Sequence, residues 1–247
     1  MRLTIFGFAA ATLLASTALA GGLGEMTDAE RATFRAEIRA YLLDNPEVLV
    51  EAMTELEQRQ QVAEAEADRK MLVDYNAEIF EDPSSWAGGN LQGDITVVEF
   101  VDYRCSYCRR AHAEVKELVA LDGNIRFVLK EYPILEGSET YSRFAIAVLQ
   151  LAGPEAYEKA HDALMVFRGE PVAENFARLA QELGLDSDAI LAHMPSEAVT
   201  NVIRSNHDLG SRMRVNGTPT FVVDGTLVRG YLPLSAMQQI VAGQREG

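Results

Sequence analysis

Apolar residues near the start of the chain fall at helical spacing. Phe34, Ile38 and Leu42 recur every four positions. They follow Thr27-Asp28-Ala29-Glu30, whose Thr-to-Glu spacing is that of a capping box. A helix is therefore predicted from about residue 28. Asn45-Pro46 interrupts it: Asn45 can cap a second helix, and Pro46 suits a first turn where a missing N–H costs nothing. The second apolar stripe, Leu49, Met53 and Leu56, starts strongly and fades into Gln60, Ala63, Ala67 and Lys70. Ala, Glu, Gln and Arg dominate up to Ile79. This predicts a long exposed helix whose first turns need an apolar partner. Self-association is the expectation, with packing on its own chain the alternative.

The pattern then changes. Asp82-Pro83-Ser84-Ser85 and Gly88-Gly89-Asn90 break the helix, and a second domain is expected to start near Ile79. Ile95–Val101 is β-branched and almost wholly apolar, as a buried central strand requires. A helix follows over 109–121 and a strand over 125–129. Helices are predicted over 138–151, 154–167, 174–183, 187–192 and 196–213. Strands return at 220–223 and 226–228, with the hairpin signal Asp224-Gly225 between them. Pro233 opens a last helix over 234–242. The order is β-α-β, a helical block, then β-β-α.

Composition narrows the setting. Arg2, an apolar run over 3–14 and Ala18-Leu19-Ala20 have the pattern of a cleaved export signal over residues 1–20. The run is shorter than the roughly 20 residues that span a bilayer. A chain of 247 residues, 48% hydrophobic, has material for one or two cored domains. Its net charge of −15 argues against nucleic acid and anionic membranes as partners. Export places the chain where disulfides persist, which gives weight to its two cysteines.

Those two are Cys105 and Cys108, in Cys105-Ser106-Tyr107-Cys108, at a strand-to-helix turn. The free N–H groups and positive dipole end of a helix N-terminus favour Cys105 as a thiolate, the nucleophile of disulfide exchange. A structural staple closing so short a loop would constrain the unfolded chain little. Zinc normally takes four ligands, and a second cysteine pair is absent; His112, four residues beyond Cys108, would supply only a third. No cofactor or resident metal is expected.

Further residues carry a family resemblance. Phe100-Val101-Asp102-Tyr103-Arg104-Cys105 runs an aromatic-rich strand end into the cysteine pair, and Gly217-Thr218-Pro219-Thr220-Phe221 opens a later strand on proline. In these features the chain resembles the DsbA-like family of periplasmic thiol-disulfide oxidoreductases. Residues 38–49 resemble the N-terminal segment through which ScsC-type members trimerise. The resemblance implies a thioredoxin-like α/β fold with a helical insertion over about 137–213. Beyond the export signal at 1–20 it also implies a helical oligomerisation segment and linker at 21–78, a catalytic domain at 79–247, and a periplasmic location.

By the same resemblance Cys105 is the exposed nucleophile and Cys108 the buried resolving thiol. Thr218-Pro219 is the cis-proline loop facing them. Glu99 is a buried acid that shuttles a proton to or from Cys108. As a proton shuttle Glu99 is expected to be tuned by Lys130; the alternative is a purely structural pair with Lys130 on the facing strand. Ser106 and Tyr107 replace the Pro-His of strongly oxidising members, which weakens thiolate stabilisation and lowers the expected reduction potential. Arg104, Arg109 and Arg110 act the other way by adding positive charge, with Arg110 expected to be an ordinary solvated residue.

The expected activity is disulfide isomerisation or reduction on unfolded or misdisulfided exported proteins. A membrane reductase of DsbD or ScsB type would recharge the pair. The alternatives are a dithiol oxidase recharged by a DsbB-like partner, and a copper-binding protein using the same thiols. A homo-oligomer, dimer or trimer, is expected.

Overall fold

The apolar run Ile95–Val101 forms β2, the centre of a five-stranded sheet. β2 pairs in parallel with β3 (Ile125–Glu131) and antiparallel with β4 (Thr220–Val223). The edges are β1 (Trp86–Gly89), antiparallel to β3, and β5 (Thr226–Arg229), antiparallel to β4. The parallel pair requires a crossover, and α4 (Ser106–Asp122) supplies it. Asp224 makes the β4–β5 turn at φ 44° and bonds Thr96 through both backbone and side chain. This computed structural model describes residues 26–246; the expected export signal lies outside the described residues.

Alternation along β2 separates two cores. Val97 and Val101 face one side, with Phe127, Leu129, Phe221 and Val223 from the neighbouring strands. Val98, Phe100, Val128 and Val222 face the other. The first core is covered by α4 and by α10 (Leu234–Glu246). It is extended by the inserted helices α5 (Glu139–Ala152), α6 (Pro154–Val166), α7 (Ala173–Glu182) and α8 (Ser187–His193). The last inserted helix, α9 (Glu197–Arg212), reaches both: Val199, Val202 and Ile203 join the first core and Leu209 the second. The starts of α6 and α9 are punctuated as the sequence predicts, whereas Asn45, expected to cap a second helix, instead donates through Nδ2 to the Tyr41 carbonyl at 2.9 Å and closes the helix before it. Pro154 sits in the first turn of α6, and Ser196 Oγ accepts from Val199 N–H to cap α9.

The described residues divide into two compact units, up to Gln60 and from Gln61 onward. The first holds α1 (Asp28–Asp44) and the opening turns of α2 (Glu47–Asp74). Its Thr27–Glu30 capping box is formed as expected. Among the described residues of α1 none is buried.

Packing in the second unit begins upstream of the expected start at Ile79. Leu72 and Ile79 share one core with Phe100 and Val128, and Asp68 binds Arg229 through two bonds of 2.7 and 2.8 Å. The long helix also breaks earlier than expected: Tyr75 separates α2 from the short α3 (Asn76–Phe80). The Tyr75 ring packs against the Arg212 guanidinium at 4.4 Å.

Candidate active site

β2 delivers the chain to the site through a turn held by Asp102. The Asp102 carboxylate is buried and accepts N–H bonds from Arg104 at 2.8 Å, Ile134 at 2.8 Å and Leu135 at 2.9 Å. It thereby joins the Cys105 turn to the loop that leaves β3. Cys105 is the N-cap of α4 in extended conformation, and no side-chain oxygen caps that helix. Its first amides are free to serve the sulfur at its mouth.

Cys105 is not the exposed residue the sequence predicts: both thiols are buried, Cys105 with 8% of its surface left and Cys108 with none, because the cis-proline loop lies over the first, yet the two titrate in opposite directions. Cys105 Sγ lies 3.0 Å from the Thr218 carbonyl oxygen, to which it donates as a thiol. The Thr218–Pro219 bond is cis. A hydrogen bond from the Cys108 thiol, then one from the Thr218 side chain and those from the Cys108 and Tyr107 backbone N–H groups, lower the Cys105 pKa to about 5 against the opposing effect of burial. Cys108 is fully buried, and its pKa is driven far up by burial, then by its bond to Cys105 and the charge on Glu99. One sulfur is thus a ready nucleophile, and the other keeps its proton until a base removes it.

Glu99 lies on the α4 side of β2, opposite Leu129 and Phe221. Burial, then the charges of Cys105 and Glu131, raise its pKa to about 8, and its Oε1 has no hydrogen-bond partner. Lys130 does not face it. In the parallel register Lys130 stands opposite Phe100, so its side chain leaves by the other face and binds Asp82 at 2.8 Å and Ser85 at 3.0 Å. Neither the Glu99–Lys130 pair nor tuning by contact is formed. The carboxylate that shares the face of Glu99 is Glu131, one residue further on.

Glu131 is the main group the sequence reading missed. It is buried and accepts from the hydroxyls of Tyr103 at 2.8 Å and Tyr157 at 2.6 Å. Burial raises its pKa to about 7 despite those bonds.

Ser106 and Tyr107 are exposed at the rim. The Tyr107 ring lies 6.3 Å from that of Tyr231, and Arg110, exposed as expected, lays its guanidinium over the Tyr231 ring at 4.3 Å. Arg109 is engaged as well: it donates to the carbonyls of Tyr103 at 2.6 Å and Phe167 at 2.8 Å, tying α4 to the helical block. Arg104 is exposed and donates to the Glu136 carbonyl. His112 pairs with Asp162 at 3.0 Å.

This arrangement can perform thiol-disulfide exchange: a low-pKa thiol at a helix mouth, a buried second thiol one turn on, and an acid beneath them.

Comparison with known proteins agrees with this geometry. Residues 96–242 match the DSBA-like thioredoxin domain, and residues 30–63 match the Copper resistance protein ScsC N-terminal domain. A thioredoxin-like oxidoreductase from Silicibacter pomeroyi is 42% identical, with TM-score 0.65, covering 69% of this chain and 98% of that one. BcfH of Salmonella enterica Typhimurium is 27% identical, with TM-score 0.72 over 87% of this chain and 95% of its own. A linker-deleted ScsC variant of Proteus mirabilis shares the fold at 20% identity, with TM-score 0.66 over 91% and 99%.

The Na(+)/H(+) antiporter NhaA 1 of Salinispora arenicola is 30% identical over 160 residues, which are 64% of this chain. The chain spans about a quarter of the length of that curated relative, 24%. Among the described residues no helix is long and apolar enough to cross a membrane. With its thioredoxin-like sheet, its cysteine pair at the mouth of α4 and its match over 96–242, the chain belongs to the DsbA-like thioredoxin-domain family of thiol-disulfide oxidoreductases.

Proposed function

We propose that this protein is an exported, periplasmic disulfide isomerase or reductase that works as a homo-oligomer. The observation that carries the reading is the apolar stripe of the first unit. Phe34, Ile38, Tyr41, Leu49, Met53 and Leu56 are all exposed in the single chain, in a segment that matches an ScsC N-terminal domain. A stripe of this length is covered by copies of itself. Several cysteine pairs then face one misfolded substrate.

In the first step the Cys105 thiolate attacks a substrate disulfide. A Cys105–substrate disulfide forms and one substrate thiolate leaves. In isomerisation a second substrate thiolate displaces Cys105. In reduction Cys108 loses its proton, attacks the Cys105 sulfur and releases the second substrate sulfur as a thiolate. A membrane reductase of DsbD or ScsB type would restore the dithiol. Glu99 takes the Cys108 proton, and the Thr218 backbone and exposed Tyr107 flank the incoming chain.

A second reading has its own support. The depressed Cys105 pKa stabilises the reduced form, which is the property of a dithiol oxidase recharged by a DsbB-like partner.

Refolding of scrambled ribonuclease separates the two. The chain with its N-terminal unit is expected to restore ribonuclease activity. A form starting at Gln61 keeps Asp68 and Leu72, and with them the second unit's packing. It is expected to lose most of the rescue, on the order of tenfold as multivalency is lost, while still reducing a small disulfide at a comparable rate. Equal rescue by both forms contradicts the oligomer reading. Faster oxidation of reduced ribonuclease than rescue of scrambled ribonuclease supports the oxidase.

A further inference from the structure

The resolving step poses a problem that the Cys105 side does not solve. Cys108 is fully buried, and in a mixed disulfide the substrate covers Cys105 and the Thr218 backbone. The proton leaving Cys108 needs another way out.

Behind the sulfurs a set of buried polar groups leads away. Glu131 lies on the Glu99 face of the sheet, one pleat further on along the parallel neighbour β3, close enough for its charge to raise the Glu99 pKa. Glu99 Oε1 and Glu131 Oε2 are both buried without a partner, so proton transfer between the two carboxyl groups calls for a bridging water or a carboxyl rotation. Glu131 Oε1 accepts from Tyr103 and Tyr157, and Oε2 is buried with no partner. The Tyr103 hydroxyl is also 2.9 Å from Nδ1 of the buried His161.

The His161 ring packs against the ring of His112, with centroids 5.0 Å apart, and His112 pairs with Asp162. His161, His112, Lys116, Glu158 and Asp162 line an open cleft of about 210 Å³ further along α4. None of Cys105, Thr218 and Pro219 lines that cleft. The charged and titratable groups around the path are Glu99, Asp102, Tyr157, His112 and Lys116.

We propose that Glu131, Tyr103 and His161 form a proton path from the Glu99–Cys108 pair to this cleft, so that proton exchange does not use the substrate face. Glu99 accepts the Cys108 proton and passes it to Glu131. The Tyr103 hydroxyl receives one proton from Glu131 and gives one to His161. The His161 ring releases one to solvent in the cleft. Each relay group ends with the protons it began with, and no electrons move apart from those of the disulfide chemistry. Glu131 acts through Glu99 and touches neither sulfur; it is a positioning residue.

The proposal rests on the exchange reading. The two fail differently: a protein without exchange shows no attack by Cys105, whereas a missing relay leaves attack intact and resolution unchanged.

Two measurements on the chain with its N-terminal unit test it. Rapid mixing with a small disulfide follows attack and resolution separately across pH. Glu131→Gln and Tyr103→Phe are each expected to slow resolution by about tenfold or more, as loss of proton transfer does, with attack little altered. Glu131→Gln also shifts the acid limb of resolution to lower pH, because a charge that raises the Glu99 pKa is gone. Infrared difference spectra between oxidised and reduced protein are expected to contain two carboxyl signals, one lost in Glu99→Gln and the other in Glu131→Gln. This reading stands even if Tyr103→Phe does not fold. Wild-type resolution in the Glu131 variant, or a difference spectrum without a Glu131 signal, overturns the proposal.

Discussion

Cys105→Ser is expected to abolish disulfide exchange, with a loss of about 10⁴-fold or more, as when a covalent nucleophile is removed. Cys108→Ser is expected to do something different: attack continues, but the mixed disulfide accumulates. The asymmetry follows from position. Cys105 caps α4 and takes hydrogen bonds from Cys108 and the backbone N–H groups, which hold its pKa near 5. Cys108 lies one turn inside the helix, fully buried, with its pKa pushed far up. Non-reducing electrophoresis after incubation with a disulfide-bonded substrate checks both variants. Trapped complexes with the Cys105 variant, or none with the Cys108 variant, would exchange the assigned roles.

Glu99→Gln is expected to slow the Cys108 step by about 10²-fold while leaving Cys105 attack largely intact, in line with the usual size of general-base contributions. The coupling between Glu99 and Cys105 gives this residue its timing. The Cys105 thiolate helps raise the Glu99 pKa to about 8. Once Cys105 is consumed in a mixed disulfide that charge is gone, the Glu99 pKa falls, and the carboxylate becomes available as Cys108 must lose its proton. The first step thus prepares the base for the second. A resolving rate unchanged in Glu99→Gln would end this account of Glu99.

The same substitution has a stability signature whose sign is fixed. The folded Glu99 pKa, about 8, lies above the ordinary 4.5. Its stabilising protonated form is fully present below 4.5 and is lost as pH rises through about 8. Glu99→Gln should therefore match the wild type in acid and exceed it at mildly alkaline pH, by up to a few kcal/mol at about 1.4 kcal/mol per pKa unit. Denaturant unfolding at several pH values measures the difference, and a gap that narrows as pH rises would contradict it.

Much of this fold is legible in local chemistry. The Thr27–Glu30 box, Pro154 after Gly153, Ser196 before α9 and Asp224-Gly225 each act within a few residues, and each marks the element it indicates. The cysteine pair announces itself for the same reason. What escaped depends on partners distant in sequence. β1 reads as a linker because it ends in Gly88-Gly89, yet the Trp86 ring lies where a side chain at Gly88 would fall. Gly89 takes φ 67° with the Ile125 carbonyl close by. Its place in the sheet comes from pairing with β3.

The site shows the same division. Lys130-Glu131 looks like a charged strand end leaving the core. The parallel register sends the two side chains to opposite faces, and Tyr103 and Tyr157, 28 and 26 residues away, close over the second. Residue type suggested that a charged neighbour tunes Glu99; only the register shows that the neighbour is an acid and not the lysine. Arg110 is a parallel case, since its aromatic partner Tyr231 comes from the far end of the chain.

The central claim is that the two thiols are strongly polarised, with Cys105 the sole reactive one. Alkylation of the fully reduced protein over a range of pH, with each cysteine quantified by peptide mass, tests it most directly. The account predicts that Cys105 modification rises along a single titration near pH 5 while Cys108 stays unmodified in the folded protein. Comparable labelling of both cysteines, or a Cys105 titration near the ordinary thiol value of 9, would contradict it.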